Sequence, residues 1–227
     1  MKPLTNTVKN LILSTLISLS ISGRTFSQTT RFTLLINNVN ANFNYGKSNS
    51  TLHPYKKNFK GLQLGASFQA GITPHFSVLT ELYFVTKGGS LKENNPVTFD
   101  KTKLRLNTLE LPTLARVHFG RIYINSGPYV AYNLSGRLKI DGSPNSSEKA
   151  KSISFQNTPD GFRRWDFGVQ AGAGYIFPFK KASIVLDVRY GHGLTNISRG
   201  IERYNRVLNI SVLVSKPWKK NPFSKQG

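Results

Sequence analysis

The chain has 227 residues and carries 31 Lys and Arg against 10 Asp and Glu, a formal net charge of +21, on a length suited to one domain. It has no cysteine, which excludes a disulfide framework, a thiolate metal site and a cysteine nucleophile. At 38% hydrophobic residues and a mean hydropathy of −0.29 it is no bundle of membrane helices, but a barrel, which spends only alternate residues on lipid, fits these values.

Residues 1–27 read as a cleaved secretory signal. Lys2 and Lys9 give the positive start, Leu11 to Ile21 the short apolar run, and Ser22, Gly23, Thr25 and Ser27 the small residues before a cut at Gln28. A run of about eleven residues is too short to span a bilayer, which takes ~20; the alternative is a buried N-terminal helix. The division expected is signal 1–27, barrel domain 28–215 and basic periplasmic tail 216–227.

Eight strands follow. The first, Phe32 to Tyr45, alternates least clearly, with Val39, Ala41, Phe43 and Tyr45 against Asn38, Asn40, Asn42 and Asn44. The second, Phe59 to Gly71, sets Leu62, Leu64, Ala66 and Phe68 against Gln63, Gly65, Ser67 and Gln69. The third, Phe76 to Lys87, sets Phe76, Val78, Leu82 and Phe84 against Ser77, Glu81 and Lys87. The fourth, Lys103 to Phe119, opposes Leu109, Leu111, Ala115 and Val117 to Glu110, Arg116 and His118, with Pro112 predicting a bulge or bend. The fifth, Ile122 to Leu138, opposes Ile122, Ile124, Val130, Tyr132 and Leu134 to Asn125, Gly127, Ala131 and Asn133.

The sixth, Arg163 to Phe177, is the clearest. Trp165, Phe167, Val169, Ala171, Ala173, Tyr175 and Phe177 share one face, while Arg164, Asp166, Gly168, Gln170, Gly172 and Gly174 share the other. At about 3.3 Å per residue and a tilt near 40°, Phe167 to Tyr175 covers roughly 20 Å and Trp165 to Phe177 roughly 30 Å, which brackets the ~25 Å apolar band of an outer-membrane barrel. The seventh, Ala182 to Leu194, and the eighth, Arg203 to Val214, set Ile184, Leu186, Val188, Tyr190, Leu208, Ile210, Val212 and Val214 against Asp187, Arg189, Asn205, Asn209 and Ser211.

Tight connections (Ile72–His75, Gly120-Arg121, Pro178–Lys181) alternate strictly with long polar ones (Gly46–Asn58, Gly88–Thr102, Lys139–Phe162, Thr195–Glu202). The fold class expected is all-β: an eight-stranded antiparallel up-and-down transmembrane β-barrel with short periplasmic turns and four long extracellular loops. A soluble secreted barrel of lipocalin type, apolar face inward, has the same alternation. Glycines on the polar face, aromatics towards strand ends and long loops on one rim favour the membrane form, in the outer membrane of a Gram-negative bacterium. Phe76, Phe84, Trp165, Phe167, Tyr175, Phe177 and Tyr190 are the expected aromatic girdle.

Glu81, Glu110, Arg116, Arg164, Asp166, Asp187 and Arg189 lie mid-strand, where a lipid-facing Arg or Lys costs ~2–4 kcal/mol, so all seven are expected to line the lumen as one charge network. Such a network is either a salt-bridge plug or a polar conduit; an eight-stranded interior is just wide enough for side chains to fill, which favours the plug. The four histidines (His53 and His75 in connections, His118 and His192 near strand ends) show no arrangement of nucleophile, base and acid, and Asp187 and His192 fall on opposite faces. No catalytic residue, cofactor or metal site is predicted; a small outer-membrane enzyme acting on lipid or peptide is the alternative. The basic excess in the loops suits membrane lipid and the phosphates of lipopolysaccharide, with loops or tail open to a protein partner. Export argues against nucleic acid.

Five runs carry a resemblance: Leu109-Glu110-Leu111-Pro112, Gly127-Pro128-Tyr129-Val130, Phe167-Gly168-Val169-Gln170-Ala171-Gly172-Ala173-Gly174-Tyr175, Arg189-Tyr190-Gly191-His192-Gly193-Leu194-Thr195-Asn196 and Asn205-Arg206-Val207-Leu208. In order and spacing, over roughly residues 30–214, the chain resembles the PorT-like outer-membrane beta-barrel domain of Gram-negative bacteria. The resemblance implies an eight-stranded outer-membrane barrel, in a family whose named member is linked to a protein-secretion apparatus. One departure is the end: many such barrels finish on an aromatic in the last strand, whereas here a basic stretch from Lys216 to Gly227 follows.

Overall fold

The computed structural model describes residues 31–73, 75–97, 99–141, 149–179 and 182–215. The expected signal segment and basic tail lie outside these residues, as do Lys180 and Lys181. Nine strands are present among them: β1 (Arg31–Asn44), β2 (Lys56–Thr73), β3 (Phe76–Leu91), β4 (Lys101–Phe119), β5 (Ile122–Asp141), β6 (Lys149–Ser152), β7 (Trp165–Pro178), β8 (Ser183–Gly193) and β9 (Tyr204–Ser215). Each pairs antiparallel with its neighbour in the order β4-β3-β2-β1-β9-β8-β7-β5, and β5 pairs back onto β4. Eight strands therefore close into a barrel with no free edge. The short β6 lies outside the ring, on the part of β5 (Arg137 to Ile140) that runs beyond β7.

Closure by period-two strands gives each wall an inside and an outside. Along the short-turn half, Leu64, Leu82, Leu111, Ile124, Val169, Leu186 and Val212 face outward, while Glu81, Arg116, Asp166, Asp187 and Arg189 are buried inside. The long-loop half reverses this. There Val39, Ala41, Phe43, Leu91, Leu104 and Leu106 are buried within, and Asn38, Asn40, Lys103, Arg105, Arg137 and Lys139 point out or lie near the surface. The wall thus leaves the apolar band and continues as an ordinary water-soluble barrel.

This reversal accounts for two departures from the sequence-based expectation. The first strand alternates weakly because its inner residues change from polar to apolar along its length, so Val39, Ala41 and Phe43 belong to the interior. The connections from β3 to β4 and from β5 to β7 begin later than expected. β3 runs to Leu91 and β5 to Asp141, because apolar-in, charged-out alternation is still strand. Pro112 makes no bulge: the register on β5 is continuous through Leu111↔Val130, Pro112↔Tyr129 and Ala115↔Ser126. The bulge lies instead between Asn107 and Thr108, opposite Leu134 and Ser135, which are both exposed. It marks the point where β4 and β5 pass from apolar to basic outer faces.

The long-loop end is closed by its own core. A turn at Gly46–Ser48 leads into a one-turn helix α1 (Asn49–Leu52), and Leu52 packs inside with Phe43, Tyr45, Leu91, Leu104, Leu106, Phe162 and Ile197. Phe162 and Ser198 form a bridge between the third and fourth long connections, supported by Arg163 N–H to Ile197 O (2.9 Å) and Arg199 N–H to Gly161 O (3.0 Å). The first connection is tied in by Lys47 N–H donating to Glu202 (3.0 Å) and by the half-buried Arg203 guanidinium lying over the Tyr45 and Phe162 rings. Burial in this cap raises the Tyr45 hydroxyl above the usual tyrosine range.

Candidate functional site in the lumen and at the outer rim

Inside the apolar band the lumen holds two tiers of charge. In the tier nearer the cap, Lys87 on β3 reaches Glu110 on β4 (2.8 Å) and Asp166 on β7 (3.2 Å), all three buried. Neighbours donate to the same carboxylates, at Asp166 all to Oδ2, while its buried Oδ1 has no hydrogen-bond partner among the described residues. Tyr83 donates to Glu110 (2.7 Å), as does Gln170 (2.7 Å), and Asn205 (2.7 Å) and Tyr129 (3.3 Å) donate to Asp166. In the lower tier Arg189 on β8 donates through two guanidinium nitrogens to Glu81 and lies 3.2 Å from Asp187. Asp187 also accepts from Tyr123 (2.7 Å) and Asn125 (3.3 Å). Arg116 stacks 3.9 Å from the Tyr123 ring centroid, donates to Gln69 (2.9 Å) and comes within 3.8 Å of Asp187.

Six of the seven expected lumen residues meet in these tiers: Glu81, Glu110, Arg116, Asp166, Asp187 and Arg189. Arg164 does not. It precedes the first residue of β7, is exposed at the outer rim, and lays its guanidinium over the rings of Phe155 (4.4 Å) and Tyr132 (5.6 Å). Strand alternation holds only within a strand, and the chain has already left the wall there. Lys87 takes a central place that the sequence reading left at a strand end. Its even spacing from Glu81 was the available signal, since residues 81 and 87 share one face.

The lumen-facing glycines have a specific partner. Gly65, Gly168 and Gly174 pair across the sheet with Tyr83, Tyr129 and Tyr123 respectively. A Cβ at Gly168 would come 2.5 Å from the Tyr129 ring, and one at Gly174 would come 2.2 Å from that of Tyr123. At Gly168 and Gly174 the missing side chains leave room for the Tyr129 and Tyr123 rings, whose hydroxyls reach Asp166 and Asp187. Two small spaces lie between these groups: about 20 Å³ beside Tyr83, Lys87, Glu110 and Gln170, and about 30 Å³ beside Gln69, Glu81, Arg116 and Tyr123. Each is on the scale of a single water molecule.

At the short-turn end His118 Nε2 lies 2.9 Å from Ser77 Oγ. Among the described residues no carboxylate bonds to that imidazole, and Ser77 is buried. A nucleophile and a base are therefore in reach, and among the described residues no third group orients the base. His192 is on the outer surface against Tyr190. Among the described residues no three His, Asp or Glu side chains are grouped as a metal ion would require.

The expected girdle residues all lie on the outer face, Phe84, Trp165, Phe167, Phe177 and Tyr190 exposed, Phe76 and Tyr175 half-buried. Trp165 packs edge-on against Tyr132 and stacks with Phe167 at one end of β7, and Tyr175 packs with Phe177 at the other. Tyr190 pairs with Ala171, halfway along β7.

Residues 26–199 match the outer membrane protein beta-barrel domain. Among solved structures the chain is similar to Ail, the attachment invasion locus protein of Yersinia pestis (10% identity, 83% of this chain and 99% of that one, TM-score 0.47). It is also similar to Neisserial surface protein A (11%, 82% and 97%, 0.44) and to OprG from Pseudomonas aeruginosa (12%, 84% and 94%, 0.39). Comparison with curated proteins finds no match.

Proposed function

The chain belongs to the outer membrane protein beta-barrel domain family, and from that premise we propose that it is a non-enzymatic, non-conducting barrel of the PorT-like type that displays its capped, basic end as a binding surface. The observation that carries this reading is the filling of the lumen. Two tiers of interlocked charge lie across the barrel beneath a separate apolar core, so a solute would have to break both. In this reading residues 1–27 direct export, the short turns face the periplasm, the long connections face outward and the aromatic positions anchor the wall at the interfaces. The motifs quoted above support the PorT-like assignment, and the role is structural or partner-binding, through the loops or the periplasmic side; service to a secretion apparatus is one form of it.

The test is a fractionation followed by two readouts. The outer-membrane fraction is run on a detergent gel with and without boiling, and intact cells are treated with protease. A heat-shifted band with cuts confined to the four long connections is expected. Purified barrel in a planar bilayer should give no stepwise conductance; regular steps would replace the plug with a conduit, and cuts at the short turns would invert the orientation.

A further inference from the structure

On the outer wall, just beyond the apolar band, β4 and β5 place like charges directly opposite one another: Arg105 faces Arg137, and Lys103 faces Lys139. Like charges at paired positions destabilise a sheet, and neither Arg105 nor Arg137 has an ion pair among the described residues. The next rung is relieved, since Lys101 meets Asp141 at 2.8 Å, and Asp141 is also 3.4 Å from Lys139. The rungs run on sideways through Ser90 of β3 to Lys57 of β2. Together they bound an outward groove of about 870 Å³, lined by Lys57, Lys60, Lys92, Lys101, Lys103 and Lys139 against two acids, Glu93 and Asp141. Lys103 lies over the ring of Phe59 on its floor. Arg105 and Arg137 line an adjoining recess.

The position selects the ligand. Directly below the basic rungs, on the same outer face of the same strands, come Leu62 and Leu64 on β2, Phe84 on β3, and Leu109 and Leu111 on β4, all exposed. A molecule that satisfies both halves has a multiply anionic head and apolar chains. We propose that this face is a seat for a phosphorylated glycolipid of the outer leaflet, with its phosphates between Arg105, Arg137 and the groove lysines and its acyl chains along the leucine surface beneath. Arginine suits the phosphates through its paired donors. A soluble polyanion would use only the upper half. The assignment rests on the orientation proposed above, with the long connections outside the cell.

The test uses the full-length barrel in detergent, titrated with phosphorylated lipid A, with the same lipid stripped of phosphate, and with a soluble sulfated polysaccharide, and read by native mass spectrometry. Adducts with phosphorylated lipid A are expected. They should weaken at least about tenfold in Arg105→Ser/Arg137→Ser, given roughly 1 kcal/mol per basic residue at a membrane surface. Arg105→Lys/Arg137→Lys should keep most of the binding, and the serine variant should unfold no more readily than wild type, because it also removes a repulsion. Equal retention of the dephosphorylated lipid, or no loss in the serine variant, overturns the proposal. Tighter binding of the polysaccharide than of the lipid overturns it in favour of a soluble polyanion. Protease mapping on the same cells separates this from a failure of orientation, which would appear as cuts at the short turns.

Discussion

Tyr129 of β5 crosses onto Gly168 of β7, and the space its ring occupies is the space a Cβ on that glycine would fill, 2.5 Å away. The ring's hydroxyl thereby reaches Asp166 two residues along the same partner strand (3.3 Å). One glycine thus sets both the packing of the wall and the satisfaction of a buried carboxylate. Gly174 does the same for Tyr123 and Asp187.

Gly168→Ala should therefore lower barrel stability by about 1–3 kcal/mol, the usual range for overpacking. Gly191→Ala serves as the comparison, since its Cβ would meet nothing nearer than 3.7 Å. Urea titration followed by the heat-shifted gel band should show an earlier midpoint for the first variant and an unchanged one for the second. Equal midpoints would mean that both the Tyr129 ring and the His192 carbonyl oxygen, which that Cβ would approach to 2.4 Å, have room to shift.

Lys87→Met leaves Glu110 and Asp166 buried without their shared cation. A loss of about 3–5 kcal/mol is expected, as when one partner of a buried pair is removed. The triple variant Lys87→Met/Glu110→Gln/Asp166→Asn should recover most of it, because neutral amides still accept from Tyr83, Gln170, Asn205 and Tyr129. The same urea assay checks both, and failure of the triple variant to recover would place the energy in geometry rather than in charge.

Phe162→Ala removes a large side chain from the cap core, at about 3–5 kcal/mol. The cap has its own core, so its contacts should fail before the wall does. Protease treatment of intact cells should then cut the first and third long connections faster, while the heat shift of the gel band persists. Loss of the heat shift as well would make cap and barrel one cooperative unit.

The open end of the β4–β5 hairpin, on the long-loop side, should respond to acid. The hydrogen bond from Lys101 holds the Asp141 carboxyl below the ordinary carboxylate range. A carboxylate whose folded pKa is lowered contributes stability that is present above its unfolded value, about 4, and is lost as pH falls through the lowered value. Amide exchange at Lys101, Lys103 and Lys139 should therefore quicken relative to mid-wall amides only below that range. Asp141→Asn should abolish the dependence; an unchanged acid response in that variant would assign it to another group.

The alternation of residues from Phe76 to Phe84 and from Trp165 to Phe177 determined by itself that the chain folds as strands with unlike faces, and the spacing of short and long connections determined their antiparallel closure. Both are local properties, carried by period two and by turn length. Most of the charges destined for the lumen were legible for the same reason, since each stands on the polar face of its own strand. What joins Lys87 to Asp166 across 79 residues, or Arg189 to Glu81 across 108, is register and closure, which no single strand contains. Tertiary structure alone also decided where polarity turns inside out along the wall. Leu104 and Leu106 read as outer residues or as inner ones with equal ease until the height of the apolar band on β4 is known. It likewise decided that Arg105 confronts Arg137, because a pairing between two strands depends on the bulge that shifts one against the other.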